Sequence, residues 1–139
     1  MQERILIVED DINTLEGLGE ILEQENYQIT KAKTGKRALA ELKKNSFNLM
    51  LIDYLLPDLD GLEVSKTILS QTPELKVIMM TAFGSVKNAV AAMKMGIYDY
   101  LTKPIDLDEL MIVIKRALKE QQLIHENIDL KDKLRQTYS

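Results

Sequence analysis

The chain of 139 residues contains no cysteine and no tryptophan, a single histidine and three prolines. Without cysteine there are no disulfides, no thiolate metal sites and no sulfur nucleophile. One histidine, His125, is too little for a multi-histidine metal centre or a Ser-His-Asp triad. No apolar run approaches a membrane span, and the opening Met-Gln-Glu-Arg does not read as a signal peptide. The formal charge of −4 argues against direct nucleic-acid binding by this chain. What is present is the balance of one soluble domain, with 45% hydrophobic and 29% charged residues. The expectation is a cytoplasmic protein whose chemistry comes from carboxylates, hydroxyls and amines.

The apolar pattern changes period along the chain. Residues 5–8 form a β-branched run of the kind buried on both faces of a sheet, and it ends in Glu9, Asp10 and Asp11. Asn13 is the expected cap of a helix carrying Leu15, Leu18, Ile21 and Leu22. Residues 27–32 read as a second strand, Thr34-Gly35 as a turn, and Ala38, Leu39 and Leu42 as a second helix ending near Asn45. Residues 49–52 are again a buried strand, ending at Asp53, and residues 56–61 are loop chemistry. Leu62, Ser65, Ile68 and Leu69 mark a third helix, stopped before Pro73. A fourth strand over 77–80 ends at Thr81. Val86, Ala89, Val90 and Met93 mark a fourth helix, with Gly96 as its C-terminal cap. A fifth strand over 97–101 runs into Thr102-Lys103-Pro104, and Asp106 caps a last helix carrying Leu107, Leu110, Met111, Ile114 and Leu118. The Met and Leu stripes read as core. Five strands alternating with five helices predict an α/β fold, a parallel sheet covered on both sides by right-handed crossovers.

The residues that break the core pattern fall at corresponding places. Glu9, Asp10 and Asp11 follow the first strand, Asp53 ends the third, Thr81 the fourth, and Lys103 follows the fifth. In a parallel sheet these ends share one edge, where open α/β folds bind their ligands. Gathered carboxylates repel, so one retains its proton unless a cation neutralises the cluster. A hard divalent ion such as Mg²⁺ suits oxygen ligands beside a phosphate. A carboxylate nucleophile with a metal, an ammonium and a hydroxyl describes phosphoryl transfer to Asp.

At this point the chain resembles the receiver domain of bacterial two-component response regulators. The resemblance covers residues 4–118. It rests on Val8-Glu9-Asp10-Asp11, on Ile52-Asp53-Tyr54 with Pro57 and Gly61 following, on Met80-Thr81-Ala82, and on Tyr100-Leu101-Thr102-Lys103-Pro104. It implies a flavodoxin-like, CheY-like sheet in the order 2-1-3-4-5. It implies Asp53 as phosphoacceptor, and Glu9, Asp10, Asp53 and the Leu55 backbone carbonyl as holders of Mg²⁺. Lys103 is the implied phosphoryl-binding cation, followed by a cis Lys103-Pro104 peptide. Thr81 is the hydroxyl that moves to the phosphoryl group, and Tyr100 the aromatic that turns inward with it. The implied donor is a sensor histidine kinase.

Some positions depart from the common pattern. Glu9 stands where many members have Asp, and its longer side chain is expected to reach a metal through water. Leu55 and Phe83 are apolar where relatives are often polar, which predicts restricted water attack and a long-lived phosphoryl-Asp. Asp11 reads as a helix N-terminal charge rather than a ligand. His125 reads as solvated, and Lys31, Lys33, Lys36 and Arg37 as a solvated basic face.

The expected domain division is a receiver over 1–118 and a helical coiled-coil linker over 119–139. The 21 residues of the linker carry four cations and four anions, with no Pro or Gly. Leu123, Asn127, Leu130 and Leu134 fall at four- and three-residue spacing, a seam with one polar position. A continuous helix here extends about 30 Å. It implies a partner helix, and the run Met111-Ile112-Val113-Ile114 suits the same homodimer contact. The segment is similar to the linker of NtrC-like sigma-54-dependent transcriptional activators, whose ATPase and DNA-binding domains have no motif in this chain. The expectation is therefore a phosphorylation-driven switch rather than an enzyme with a separate substrate. Two alternatives stay open: a stand-alone or partner-binding pseudo-receiver, and an Asp-nucleophile phosphatase. The latter needs a second Asp where Leu55 stands.

Overall fold

The computed structural model describes residues 2–82 and 86–138, and the side chains of all of these but 86, 87 and 136–138. The elements are β1 (Arg4–Val8), α1 (Ile12–Gln24), β2 (Gln28–Ala32), α2 (Gly35–Lys44), β3 (Leu49–Asp53), α3 (Gly61–Gln71), β4 (Lys76–Thr81), α4 (Val86–Lys94), β5 (Asp99–Thr102) and α5 (Leu107–Tyr138). All neighbouring strands are parallel, in the order β2-β1-β3-β4-β5, as expected. The register sets Val8 against Ile52, Asp53 against Met80 and Thr81 against Thr102. Strand ends therefore line up along one edge.

Alternate residues of the apolar runs point to opposite faces of the sheet. Ile5, Ile7, Leu49, Leu51, Ile78 and Met80 pack against Leu15, Leu18 and Leu22 of α1 and Leu110, Ile114 and Leu118 of α5. Leu6, Val8, Met50, Ile52, Val77 and Met79 pack against Ala38 of α2, Val64 and Ile68 of α3 and Ala92 of α4. This two-sided burial explains why the three central strands show no polar alternation.

Three local expectations are corrected. Asp11, not Asn13, caps α1, and its carboxylate accepts from the Thr14 amide. Asn13 lies one residue inside the helix, where its side chain is not needed by the first free amides. On α4 the buried residue is Ala92, while Val90 and Met93 are 45% and 46% exposed. A narrow alanine face lets α4 approach the sheet and turns its larger apolar side chains outward. The Val86 side chain lies outside the described residues. The first and last edge strands are shorter than their apolar runs: β2 starts at Gln28 and β5 at Asp99. Gly96 follows α4 with φ +110, and the Ile97 amide returns to the Ala92 carbonyl, which closes the helix as expected.

α5 runs unbroken from Asp106, whose carboxylate accepts from the Asp108 and Glu109 amides. Its last buried residue is Gln121; residues 122–135 are exposed. The Gln121 Nε2 donates to the Asn48 and Glu74 carbonyls at 2.8 and 2.9 Å, and its Oε1 accepts from Asn48 Nδ2 at 3.2 Å. Those carbonyls belong to the turns entering β3 and β4, at the edge opposite the acidic cluster. Among the described residues no helix is long and apolar enough to cross a membrane.

Candidate functional site

Each site residue is held by the backbone of a strand end. The Glu9 amide continues the β1–β2 ladder to the Ala32 carbonyl at 3.0 Å. Asp53 is the last residue of β3, and the next amide, Tyr54, donates to the Met80 carbonyl at 2.8 Å. The Lys103 amide donates to the Thr81 carbonyl at 2.7 Å, and the Lys103-Pro104 peptide is cis, as expected. The loop after Asp53 returns tightly: the Gly61 amide donates to the Tyr54 carbonyl at 2.8 Å. A Cβ at position 61 would stand 2.2 Å from the Asp53 carbonyl oxygen, so only glycine fits there.

These supports bring four charged groups together. Lys103 Nζ donates to Glu9 Oε1 at 2.6 Å and to Asp53 Oδ2 at 2.9 Å. Carboxylate oxygens of Glu9, Asp10 and Asp53 all lie within 4.8 Å of one another. Glu9 is fully buried and Asp53 nearly so, whereas Asp10 is exposed. Burial pushes the Glu9 carboxyl up to about 7; Asp53 beside it adds to the rise and Lys103 opposes it. Burial also works against the charge on Lys103. Its bonds to Glu9 and Asp53 outweigh that and hold its pKa above the usual lysine value.

With all three carboxylates ionised, one ammonium leaves two negative charges, and the Glu9 pKa, raised by burial, also reflects that shortage of cations. Glu9 Oε2 is buried with no hydrogen-bond partner. An all-oxygen donor set, an orphaned buried oxygen and a deficit of two charges fit one hard divalent cation. Glu9 lies against Lys103 directly, with its carboxylate inside the cluster rather than reaching outward.

The remaining candidates take these places. Thr81 is buried at the end of β4, beside Thr102 in register. Tyr100 is half-buried in β5, on the sheet face that packs against α2, α3 and α4. The Leu55 amide donates to Asp53 Oδ1 at 3.4 Å, while its side chain is 54% exposed and supplies no acid beside the nucleophile. Phe83 lies outside the described residues. Asp11 is a helix cap, and His125 is exposed. A cleft opens on the other side of Lys103, lined by Asn13, Thr14, Leu18, Ile21, Pro104 and Ile105.

Two structural roles were not visible in the sequence. The Asp58 carboxylate accepts from the Gly35 and Lys36 amides at 2.8 and 2.9 Å, joining the loop after Asp53 to the start of α2. The only signal for it was an Asp after Pro57, which fits any turn. For Gln121 there was no signal, because the turns it bonds lie 73 and 47 residues away in the chain.

A family model described as response regulator receiver domain matches residues 5–115. Over 120 residues the chain is 37% identical to the transcriptional regulatory protein ZraR of Escherichia coli O157:H7, covering 86% of this chain and 27% of that protein. Over 133 residues it is 38% identical to the nitrogen assimilation regulatory protein NtrX of Azorhizobium caulinodans, covering 94% of this chain and 29% of that protein. A CheY-like receiver domain protein from Methanospirillum hungatei superposes with a TM-score of 0.84 at 37% identity, covering 88% of this chain and 98% of that one. NtrX from Brucella abortus gives 0.86 at 34% identity, covering 94% of this chain and 30% of that one. The chain thus spans less than a third of the length of these curated relatives.

Proposed function

The chain belongs to the response regulator receiver domain family, and from that premise we propose that Asp53 accepts a phosphoryl group from a sensor histidine kinase and that the added charge resets how two copies pair. The observation that carries this is the Lys103 ammonium held between Glu9 and Asp53, 2.6 and 2.9 Å away, with Asp10 completing the acidic cluster.

In the transfer an Asp53 oxygen attacks phosphorus, a P–O bond forms and the P–N bond to the donor imidazole breaks. Asp53 ends β3 with its backbone tied to β4, so the nucleophile is fixed before the donor arrives. Glu9, Asp10, Asp53 and the Leu55 carbonyl are the residues to hold Mg²⁺. When bound, the ion supplies the positive charge that lets a carboxylate and a phosphoryl group approach. Lys103 exchanges its contact with Asp53 for one with a phosphoryl oxygen. The Thr81 hydroxyl donates to another, and Tyr100 follows into the space Thr81 leaves. The phosphoryl group stays on the chain itself, so no separate substrate is turned over.

The phosphoryl group brings roughly two negative charges. Exposed apolar residues flank β5: Val90 and Met93 on α4 and Ile112, 64% exposed, on α5. Repacking of this surface is the route by which the pocket changes dimerisation through α5 and its extension. The relatives are longer proteins named as regulators, one of them of transcription, which supports an output beyond this chain; the resemblance of the linker points to a sigma-54-dependent ATPase joined to a DNA-binding domain as that output. The chain is the cytoplasmic input to it.

Labelling with radioactive acetyl phosphate and Mg²⁺ tests the phosphoacceptor. Wild type is expected to incorporate label and Asp53→Asn none; equal labelling of the two overturns the assignment. Sedimentation with and without beryllofluoride and Mg²⁺, on this chain and on one stopped after Gln122, tests the dimer switch. An unchanged monomer in all four samples sinks it.

A further inference from the structure

The loop between β3 and α3 is closed at its neck by one set of contacts and fastened at its tip by another. At the neck the Gly61 amide donates to the Tyr54 carbonyl at 2.8 Å, and Leu55 and Asp60 form a single antiparallel bridge. Both contacts lie within the connection itself and leave residues 56–59 to be placed from outside. The outside contact is the start of α2. The Asp58 carboxylate accepts from the Gly35 amide at 2.8 Å with one oxygen and from the Lys36 amide at 2.9 Å with the other. Beside it Leu59 closes on Gly35: a Cβ at position 35 would stand 2.9 Å from the Leu59 Cβ.

A helix start usually satisfies its first amides from its own cap or from water. Thr34 caps α2 in that way, and its hydroxyl accepts from the Arg37 amide at 3.0 Å. The two amides before Arg37 go instead to a residue 23 and 22 positions further along the chain. Capping alone does not call for a partner so distant. The carboxylate is favoured there by the helix dipole as well as by two bonds, so the helix start is a firm anchor. What it anchors is the loop. Leu55 stands three residues before Asp58, and its amide donates to Asp53 Oδ1 at 3.4 Å. The tip contact therefore sets the path of the backbone that leaves the nucleophile.

We propose that Asp58 is a positioning residue of the divalent-cation site: by clasping the loop to the start of α2 it fixes the backbone that presents the Leu55 carbonyl to the ion. This rests on the reading above that Glu9, Asp10, Asp53 and the Leu55 carbonyl hold Mg²⁺. The clustered carboxylate oxygens are those of Glu9, Asp10 and Asp53, so Asp58 acts on the ion through the backbone and not as a ligand. Thr34 supports the same helix without touching the loop, which separates loop placement from helix stability.

Calorimetric titration of the full chain with Mg²⁺ alone, on wild type, Asp58→Ala, Asp58→Asn and Thr34→Ala, is the test. Asp58→Ala is expected to raise the Mg²⁺ Kd about tenfold, the size of effect seen when a group that orients a ligand is removed. Asp58→Asn keeps one acceptor oxygen and sets an amino group against the second amide, so its Kd is expected to fall between the two. Thr34→Ala is expected to bind as wild type does. Wild-type affinity in the Asp58 variants overturns the proposal. An equal loss in Thr34→Ala also overturns it, because the effect is then a general loosening of α2. Asn preserves the shape of the side chain and carries the same comparison where alanine unfolds the protein.

Backbone hydrogen exchange without metal gives a second readout. Amides over residues 54–60 are expected to exchange faster in Asp58→Ala than in wild type and unchanged in Thr34→Ala; equal exchange in all three overturns the clasp. A wild type that takes up no Mg²⁺ removes the cation reading and this inference with it. A wild type that binds Mg²⁺ beside an Asp58→Ala that binds it equally removes the positioning role alone.

Discussion

Glu9 carries its carboxylate into full burial with one oxygen on Lys103 and the other, Oε2, without a hydrogen-bond partner. An unsatisfied buried oxygen of this kind costs about 1–3 kcal/mol. In chelator, Glu9→Gln is therefore expected to melt higher than wild type, because it removes a buried negative charge from a cluster short of cations. The same variant is expected to gain less from added Mg²⁺, since a donor oxyanion is gone. Thermal melts with and without Mg²⁺ check both, and a variant that loses stability in chelator contradicts the account. Asp58 behaves oppositely. The Lys36 amide, and with it the Gly35 amide, holds its carboxyl below the usual 3.8. The folded state keeps that charge to lower pH than the unfolded chain does. Its contribution is complete above 3.8 and is lost as pH falls through the lower folded value. Asp58→Ala is expected to melt below wild type at pH 7, with the gap closing below that range; a gap independent of pH counts against the hydrogen bonds as its cause. The acid cluster was legible in the sequence because each member ends or follows a strand. Asp58 was not, because its partners lie on a helix more than twenty residues away, and no local pattern encodes that meeting.

The connection from β3 to α3 shows how an element boundary sets the chemistry. α3 begins at Gly61, capped by Asp60, whose carboxylate accepts from the Leu62 amide at 2.7 Å. That start is pressed against the Asp53 backbone, with no space for a Cβ. Gly61→Ala must displace either α3 or the nucleophile. The expected result is a loss of about 1–3 kcal/mol of stability from overpacking, and labelling by acetyl phosphate slowed about tenfold or more by the misplaced carboxylate. Urea unfolding and labelling rates read the two effects separately; wild-type values for both contradict the close approach. Element boundaries were legible where a cap or a glycine marks them, as at Asp106, Gly61 and Gly96. The inward face of α4 was not, because apolar periodicity alone favours the larger Val90 and Met93 over Ala92. Closeness to the sheet chose the smaller residue.

At the scale of the molecule, the acidic cluster and the exit of α5 occupy opposite edges of one parallel sheet. Strand order was legible as a consequence of the family resemblance and of five alternating units. The place where the fold releases α5 was not, because apolar periodicity fades at Leu118 while the helix stays attached through a polar side chain. Gln121 makes three hydrogen bonds to the turns before β3 and β4, and the Asn48 carboxamide in turn accepts from the Arg4 amide at 2.8 Å. One glutamine thus ties the helix to the starts of three adjacent strands. A chain stopped at Leu118 leaves the Glu74 carbonyl to water, leaves the Asn48 carbonyl with only the Lys76 amide at 3.3 Å, and frees the last turn of the helix. A chain stopped after Gln122 keeps these bonds and loses only exposed residues. The shorter chain is expected to be about 1–3 kcal/mol less stable than the longer one, and to melt several degrees lower. Chain 1–122 is expected to match the monomeric receiver of the full chain at concentrations too low for pairing. Equal urea midpoints for 1–118 and 1–122 are the outcome that removes Gln121 as the anchor. They would place the release of α5 at Leu118, where the apolar pattern alone put it.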